Sequence, residues 1–170
     1  MKTEYKPWAF LEEYKGKVFN GEWPTLTEMF KISVSRHGER PCFTIFEPDR
    51  ISLNYNESLK IIEALARWLH SKGIRKGDKV AVSGKNSPEW TIAYLGILFA
   101  GATVVPIDYQ LKIEETDLLI KTAEAKILFV DEEKHPHYIQ NPGGLSEIVS
   151  LKKGMGLYIY DLDGPEAAIE

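Results

Sequence analysis

Residues 98–108 read LFAGATVVPID and directly follow a mostly apolar run, SPEWTIAYLGI, at residues 87–97. Ser87 is a natural helix N-cap, and Pro88 suits a first helical turn because its missing N–H would have no partner within the helix. Apolar side chains then cover most of the helical circumference, which is typical of a helix buried on several sides. The sequence therefore predicts a buried helix over residues 88–100.

The second half of the quoted stretch predicts a strand. Gly101 can adopt the left-handed conformation that ends a helix, and the β-branched residues that follow are typical of a strand inside a parallel sheet. Pro106 cannot donate a ladder hydrogen bond, so the strand at residues 103–107 is expected to end there. Asp108 then lies at the carboxyl end of the strand, the edge at which open α/β sheets bind ligands.

The same order of strand and helix repeats on both sides of this unit. Such alternation with short connections is the signature of βαβ units, in which helices cover both faces of a parallel sheet. We expect an α/β fold with a parallel sheet, mixed at its edge, in a single domain over residues 1–170. The predicted elements are strands 79–83, 103–107 and 126–130 and helices 56–71, 88–100 and 114–124.

An N-terminal β-hairpin is predicted ahead of this repeat. Strands 42–46 and 51–55 flank the sequence EPDR at residues 47–50, in which the proline presets a turn. Two candidate helices precede the hairpin, and the second begins at a threonine cap. They cover residues 7–19 and 25–37, with Thr25 or Thr27 as the cap.

The regular pattern weakens after residue 131. Residues 132–147 contain two prolines and two glycines, and we expect them to wrap over the surface as an irregular loop. Short strands are predicted beyond it, at residues 148–151 and 157–161.

The composition excludes several classes of protein. The 170 residues are 44% hydrophobic and 27% charged with a net charge of -4, which is ordinary for a soluble globular domain. No cluster of lysine and arginine alternates with aromatic residues, so nucleic-acid binding is not expected. The sequence has no signal-peptide core and no apolar run of bilayer length, so no membrane span is expected, although peripheral membrane contact stays open.

Cys42 is the only cysteine, which excludes an internal disulfide and a thiolate zinc cluster. The chain is compatible with a reducing compartment, and a cytoplasmic location is expected. Nothing in the sequence pairs the thiol with a base, and there is no G-x-S-x-G motif for a serine nucleophile.

Residues 84–87, GKNS, follow a predicted strand and open a predicted helix, as a phosphate loop does. A phosphate loop needs a glycine five residues before its second glycine, and Lys79 occupies that position. A helix N-terminus still attracts anions. These residues are therefore either a modest anion site or a structural cap.

Acidic side chains end two of the predicted strands. If strands 103–107 and 126–130 are neighbours, the carboxylates of Asp108 and Asp131 converge and could bind Mg²⁺. That is the chemistry of a receiver domain, which accepts a phosphoryl group. A receiver domain also requires an acidic pair after its first strand, which this chain lacks, so the alternative is that both residues are turn or cap aspartates.

His135 and His137 lie beside acidic residues, but Pro136 separates them in a predicted irregular loop. Metal sites need a third ligand on a rigid element, so both histidines are predicted to be solvated. His37 and His70 lie near predicted helix C-termini, where a positive charge is favourable. We expect no catalytic residue and no metal ligand in this chain, and its cofactor-binding residues stay unassigned.

Four segments, in order, carry a family resemblance: TLTEMFKISVSRHGERPCFTIF, ISLNYNES, ALARWLHSKGIRKGDKVAVSGKNSPEWTIAYLGILFAGATVVPID and EETDLLIKTAEAKILFVDEE. Together they resemble the N-terminal part of adenylate-forming enzymes, most closely acyl-CoA synthetases of the long-chain fatty-acid type. Leu98–Asp108 matches the LKAGAVYVPID-like motif of that family, and Leu53–Ser58 matches its LTYxEL-like motif. Two residues depart from the second motif: Asn54 replaces the usual threonine or serine, and Ser58 replaces the usual leucine. The resemblance covers residues 25–133.

The resemblance implies an enzyme that condenses a carboxylic acid with ATP to an acyl-adenylate, releases pyrophosphate and passes the acyl group to coenzyme A. ATP, Mg²⁺ and coenzyme A are the cofactors it implies, and a fatty or other carboxylic acid is the substrate. It places the Ser/Thr/Gly-rich phosphate loop, the ribose-binding aspartate and the catalytic lysine beyond residue 170. We therefore expect an inactive N-terminal fragment, a subdomain of a larger adenylate-forming domain, with no cofactor bound.

A second hypothesis, from a different class, is a free-standing α/β module that binds a nucleotide or a protein partner without catalysis. The receiver-like phosphoacceptor is the third. On the first hypothesis, the truncation exposes apolar surface and is expected to drive self-association. The expected contact is Gly156–Tyr160, predicted to be an unpaired strand edge.

Overall fold

The computed structural model describes residues 9–14, 23–46 and 50–163. A 3-10 helix, Ala9–Tyr14, precedes the first α-helix. The predicted βαβ repeat is confirmed, and its element bounds shift by at most one residue. The helices are α1 (Leu26–His37), α2 (Tyr55–Ser71), α3 (Pro88–Phe99), α4 (Ile113–Ala123) and α5 (His135–Gln140), and the strands are β1 (Pro41–Ile45), β2 (Ile51–Asn54), β3 (Lys79–Ser83), β4 (Thr103–Ile107), β5 (Ile127–Val130) and β6 (Glu147–Ser150).

The four strands from β3 to β6 form one parallel sheet in the order β4-β3-β5-β6. The chain moves outward from β3 to β4 and then returns past β3 to β5. Winding therefore reverses between β3 and β5, which makes this pair the topological switch point of the sheet. Strands β1 and β2 form the predicted antiparallel hairpin as a separate sheet, and residues 47–49 of its predicted turn lie outside the described residues.

Both faces of the sheet are covered, as the sequence predicts. Ile127 and Phe129 of β5 belong to the core beneath α2 and α3, whereas Leu128 and Val130 belong to the core that includes side chains of α4 and α5. All four side chains are fully buried. A strand buried on both faces needs a continuous apolar run, and the sequence ILFV of β5 supplies it.

The two departures from the LTYxEL-like motif both make hydrogen bonds at the start of α2. The Asn54 side chain accepts a hydrogen bond from the Glu57 N–H at 2.8 Å, and the Glu57 carboxylate accepts one from the Asn54 N–H at 2.8 Å. This reciprocal pair is a capping box. The buried Ser58 hydroxyl donates to the Asn54 carbonyl at 2.7 Å, so neither departure disrupts the helix.

The N-terminal helices agree with the prediction in part. Thr25, rather than Thr27, is the N-cap of α1 and forms a capping box with Glu28. Of the helix predicted at residues 7–19, the structure describes only the 3-10 helix Ala9–Tyr14, and the remaining residues lie outside the described ranges.

Two predictions for the C-terminal part are wrong. Residues His135–Gln140 form helix α5 and not an irregular loop, because Pro136 lies in the first turn, where its N–H is not needed. The segment predicted as a strand at residues 157–161 instead contains a 3-10 helix, Ile159–Asp161. Within the described part of the chain, its β-pairing with β6 is limited to an isolated bridge between Ser150 and Tyr158. The other predicted strand, at residues 148–151, is confirmed as β6.

Glycine backbone angles explain why the second strand does not form. Gly154 and Gly156 have φ angles of 84° and 77°, a left-handed conformation that interrupts an extended chain. Tyr158 and Ile159 then turn inward and join the core beneath α2 and α3. Within the described residues, Gly156–Tyr160 thus forms no strand edge, so the contact predicted there is wrong. Self-association of the chain stays a prediction. No helix in the described ranges is long and apolar enough to cross a membrane.

Candidate functional site

The carboxyl edge of the sheet, at the switch point between β3 and β5, is the candidate functional site. The Asp131 N–H donates to the Ser83 carbonyl at 3.2 Å and holds the two strand ends together. Residues 84–87 lead from β3 into α3, and residues 131–134 lead from β5 into α5. Open α/β sheets bind ligands in the crevice between two such loops.

Three buried side chains at this edge each have a polar atom with no hydrogen-bond partner among the described residues: Ser83 Oγ, Asp131 Oδ2 and His135 Nε2. Their exposed fractions are 0%, 6% and 5%. An unsatisfied buried polar group costs about 1–3 kcal/mol, and native proteins keep few of them. This edge is therefore suited to polar groups that the described residues do not supply.

The environment of Asp131 disfavours its charged form. Burial raises the pKa of the Asp131 carboxyl, and the neighbouring charges of Glu132 and Glu133 raise it further. Hydrogen bonds from the backbones of Lys85 and Glu133 act in the opposite direction. The Asp131 carboxyl therefore loses its proton at a higher pH than an exposed aspartate does.

This raised pKa predicts a specific pH dependence of stability. Below pH 3.8, the ordinary value for aspartate, Asp131 is protonated in both the folded and the unfolded chain. As the pH rises, the unfolded chain loses its proton first, so folding stability falls until the folded-state pKa is passed. Asp131→Asn cannot ionise, and its unfolding free energy relative to the wild type should therefore increase from pH 3 to pH 7 in urea titrations.

Asp78→Asn is the matched control for this prediction. Hydrogen bonds from Lys126 and from the Arg75 backbone lower the pKa of Asp78, so its contribution is present above pH 3.8 and is lost as the pH falls. The unfolding free energy of Asp78→Asn relative to the wild type should therefore decrease from pH 3 to pH 7. If the unfolding free energies of the two variants, each relative to the wild type, changed with pH in the same direction, the environment described for Asp131 would be contradicted.

Two lysines make contacts between the loops of this edge. Lys85 Nζ lies 2.5 Å from Glu133 Oε1, and the pairing raises the pKa of Lys85 and lowers that of Glu133. Both groups are half exposed, so the pair adds little stability. The buried Lys134 ammonium donates to the Tyr109 carbonyl at 2.8 Å, which joins the loop after β5 to the loop after β4.

Residues 84–87 act as a tightly packed structural cap. The Ser87 hydroxyl accepts a hydrogen bond from the Trp90 N–H at 3.1 Å, as predicted for the start of α3. A Cβ atom on Gly84 would lie only 2.7 Å from Leu151 Cδ1, so a larger residue here would require the Leu151 side chain to move. The anion-binding role of this loop stays a prediction.

The predicted convergence of Asp108 and Asp131 is wrong. Strand β3 lies between β4 and β5, so the two aspartates follow strands that are not neighbours. Asp108 Oδ1 accepts a hydrogen bond from the Gln110 N–H at 2.9 Å, which is the turn role given as the alternative. The receiver-like hypothesis therefore loses the geometry on which it rested.

Of the two histidines of α5, only His135 contradicts the prediction, since the His137 side chain is 31% exposed. His135 is buried, not solvated, and a Cβ atom on Gly156 would lie 3.4 Å from its Cε1. Burial lowers the pKa of His135. His137 Nε2 lies 3.9 Å from Asp117 Oδ2. Among the residues that the structure describes, no three side chains of His, Cys, Asp or Glu are grouped as a metal site would require.

The remaining candidates have structural roles. His37 ends α1 and His70 lies in the last turn of α2, as predicted. His70 Nε2 lies 2.9 Å from the Ala100 carbonyl oxygen. Cys42 is partly buried, and burial raises the pKa of its thiol, opposed by a hydrogen bond with Ser58.

Sequence reasoning missed three residues of this edge. Ser83 gave a usable signal, because it is the polar end of an otherwise apolar strand interior. Lys134 and Tyr158 gave no sequence signal for a place at this edge. The Tyr158 hydroxyl donates to Glu89 Oε1 at 3.3 Å, and its ring packs against that of Tyr160 with centroids 5.2 Å apart, so the chain after β6 is fastened to the first turn of α3.

The family model for the AMP-binding enzyme matches residues 30–166. The chain belongs to the AMP-binding enzyme family. The match begins within α1 and includes the whole parallel sheet, so the resemblance to the N-terminal part of adenylate-forming enzymes is confirmed.

Curated members of the AMP-binding family are much longer than this chain. Surfactin synthase subunit 2 of Bacillus subtilis is 35% identical over 131 residues, which are 76% of this chain and 4% of that protein. Crotonobetaine/carnitine–CoA ligase of Escherichia coli is 34% identical over 87 residues, which are 51% of this chain and 17% of that protein. The chain thus corresponds to less than a fifth of the length of either relative.

A solved structure shows the same fold. The long-chain-fatty-acid-CoA ligase of Archaeoglobus fulgidus superposes with a TM-score of 0.70 at 21% identity, over 84% of this chain and 32% of that one. The parallel four-stranded sheet, the antiparallel hairpin and their helices are therefore the architecture found in the N-terminal subdomain of adenylate-forming enzymes.

Proposed function

We propose that this chain is the first α/β unit of an ATP-dependent ligase that activates a carboxylic acid as an acyl-adenylate and passes the acyl group to coenzyme A. In that reaction a carboxylate oxygen bonds to the α-phosphorus of ATP and pyrophosphate leaves. The thiol sulfur then bonds to the acyl carbon, its proton is lost and AMP leaves. Membership of the AMP-binding family and the CoA ligases among its relatives support the proposal.

The observation that carries the proposal is the carboxyl edge at the switch point. Ser83, Asp131 and His135 bury polar atoms there without partners among the described residues. In our proposal the rest of the ligase packs on this edge and supplies those partners. The chain contributes a rigid, water-excluding wall whose loops are held by Lys85 and Lys134.

The described residues do not fit ATP and Mg²⁺ by themselves. Loop 84–87 lacks the first glycine of a phosphate loop, and Lys85 is already paired with Glu133. The described ranges also hold no cluster of three potential metal ligands. We therefore route no catalytic step through this chain, and propose that ATP, Mg²⁺ and coenzyme A bind to segments outside it and that residues 1–170 are inactive alone.

The identity of the acid is a finer proposal. The segments quoted above favour a long-chain fatty acid, and a cytoplasmic enzyme fits the single cysteine. A second candidate is an acid passed to a carrier protein, because an L-proline–(L-prolyl-carrier protein) ligase of Streptomyces coelicolor is 31% identical over 108 residues, against 87 residues matched in the CoA ligase. Both candidates share the acyl-adenylate step.

The alternative of another class is a free-standing module that binds a nucleotide or a protein without catalysis. Sequencing the coding region after codon 170 separates it from the ligase. An open reading frame that continues into a Ser/Thr/Gly-rich loop supports the ligase. A stop codon directly after Glu170 would favour the free-standing module.

A further inference from the structure

Residues 152–157 form a loop after β6 that lies against the imidazole of His135. A Cβ atom on Gly156 would be 3.4 Å from His135 Cε1 and 3.7 Å from its Nε2, so the backbone at Gly156 packs directly on the ring. Met155 is partly buried, and the other residues of the loop are exposed. The loop therefore covers His135 while burying little of its own surface.

A backbone hydrogen bond closes the base of this loop. The Ser150 N–H, at the end of β6, donates to the Leu157 carbonyl at 2.7 Å, and an isolated bridge joins Ser150 to Tyr158. Segments with few buried apolar contacts open at a lower free energy than the whole chain unfolds. The hydrogen bond between Ser150 and Leu157 thus reports whether the loop is in place.

The surroundings of His135 suit a neutral imidazole. The residue is 5% exposed, and its Nε2 has no hydrogen-bond partner among the described residues. Burial lowers the pKa of His135 below its ordinary value of 6.5. A protonated imidazole donates from both ring nitrogens, and a buried charge without a partner costs more than a buried neutral group. Protonation therefore favours an arrangement in which water reaches Nε2.

Charged groups on the surrounding elements do not offset this cost. Burial is the cause that lowers the pKa of His135, and no charge among the described residues opposes it. Glu133 is paired with Lys85, and the Lys134 ammonium donates to the Tyr109 carbonyl. The titratable groups on the elements around the ring are Asp131, Glu132, Glu133, Lys134, His137, Tyr138, Glu147, Lys152, Lys153 and Tyr158.

We propose that protonation of His135 releases residues 152–157 from α5 and uncovers this part of the carboxyl edge. The ring then carries an N–H at both nitrogens, and the loop lifts so that water accepts the hydrogen bond from Nε2. The covered ring binds the proton less readily than the uncovered ring, so release becomes more favourable as the pH falls below 6.5. The inference does not depend on the proposed ligase activity, because it concerns this chain alone.

Amide hydrogen exchange of the 170-residue chain tests the release, with each rate divided by the intrinsic rate at the same pH. The Ser150 amide loses its Leu157 partner when the loop lifts, whereas the Leu151 amide donates to the Val130 carbonyl at 2.9 Å and stays within the sheet. Ser150 should therefore exchange at a lower free energy of opening than Leu151, with less dependence on urea. From pH 7.5 to pH 5.5 its protection should fall by about 3–10-fold, as expected for release coupled to one proton.

Variants of the two α5 histidines identify the group that binds the proton. His135→Phe keeps a ring and cannot be protonated, so the pH dependence of Ser150 protection should disappear. His135→Gln serves the same purpose if the phenylalanine variant does not fold, as judged by its amide spectrum. His137→Gln is the matched control on the same helix, and Asp131→Asn removes the nearby carboxyl. Both of these variants should keep the pH dependence.

Several outcomes would overturn the proposal. One is a wild-type His135 ring whose signals titrate in NMR spectra with a midpoint at or above pH 6.5. Another is Ser150 protection that changes by less than about twofold over this pH range, or equal free energies of opening for Ser150 and Leu151. A pH dependence that persists in His135→Phe or His135→Gln, or that is lost in His137→Gln, would also overturn it.

Discussion

Replacing Phe129 with alanine is expected to lower the free energy of unfolding by about 3–5 kcal/mol. Phe129 is fully buried in β5, and its ring meets Trp68 of α2 edge-on with centroids 6.4 Å apart. Truncation leaves a cavity between the sheet and α2 that neighbouring side chains fill only in part. Urea unfolding followed by tryptophan fluorescence measures the loss.

Phe46→Ala is the matched control, because the Phe46 side chain is 72% exposed. Its effect should stay within about 0.5 kcal/mol. Phe129→Leu keeps more of the buried volume and should lose less than the alanine variant, which leaves a folded protein to measure. A loss of less than about 1 kcal/mol for Phe129→Ala would contradict a core centred on β5.

Gly96→Val is expected to destabilise the chain by about 1–3 kcal/mol through overpacking. Gly96 lies in the middle of α3, and a Cβ atom there would be 2.4 Å from Leu65 Cδ2 and 2.7 Å from Leu65 Cγ. A glycine in a helix interior normally costs about 1 kcal/mol relative to alanine. Close approach of α2 to α3 is the reason that glycine is favoured at this position.

Two further variants test that reason. A Leu65→Ala background removes Cγ and Cδ2, the two nearest obstructing atoms, and leaves Leu65 Cβ at 3.1 Å. Gly96→Val should therefore cost less there than in the wild type, which is a coupling measurable by a double-mutant cycle. Gly144→Val is the control, because nothing lies within 4 Å of a Cβ atom there. Additive effects of the changes at positions 65 and 96 would show that the two helices are not in the described contact.

Most of the fold could be predicted because local features agree with the global arrangement. The run ILFV predicts a strand buried on both faces, and β5 is buried on both faces. Ser87 predicts the start of α3, and Gly101 its end, where the φ angle is 72°. Helix α5 escaped prediction because six residues are too few to show a helical period.

The candidate site could not be predicted because it depends on strand order, which no local pattern encodes. Asp131 meets Ser83, and not Asp108, only because β3 lies between β4 and β5. The burial of His135 depends on the chain folding back at Gly156, 21 residues later. Polar residues of this kind look like solvated loop residues until the loops are placed together.

Acid-dependent release of pyrophosphate tests the central claim most directly: that this chain supplies one edge of an acid-activating site but none of the groups that make or break bonds. The measurement compares the 170-residue chain alone with the chain joined to the segments that follow it in its gene. Each is given ATP, Mg²⁺ and a panel of fatty acids and amino acids. We predict release from the joined protein and none above the blank from the chain alone. Acid-dependent release from the chain alone, or none from the joined protein with any acid, would contradict the account.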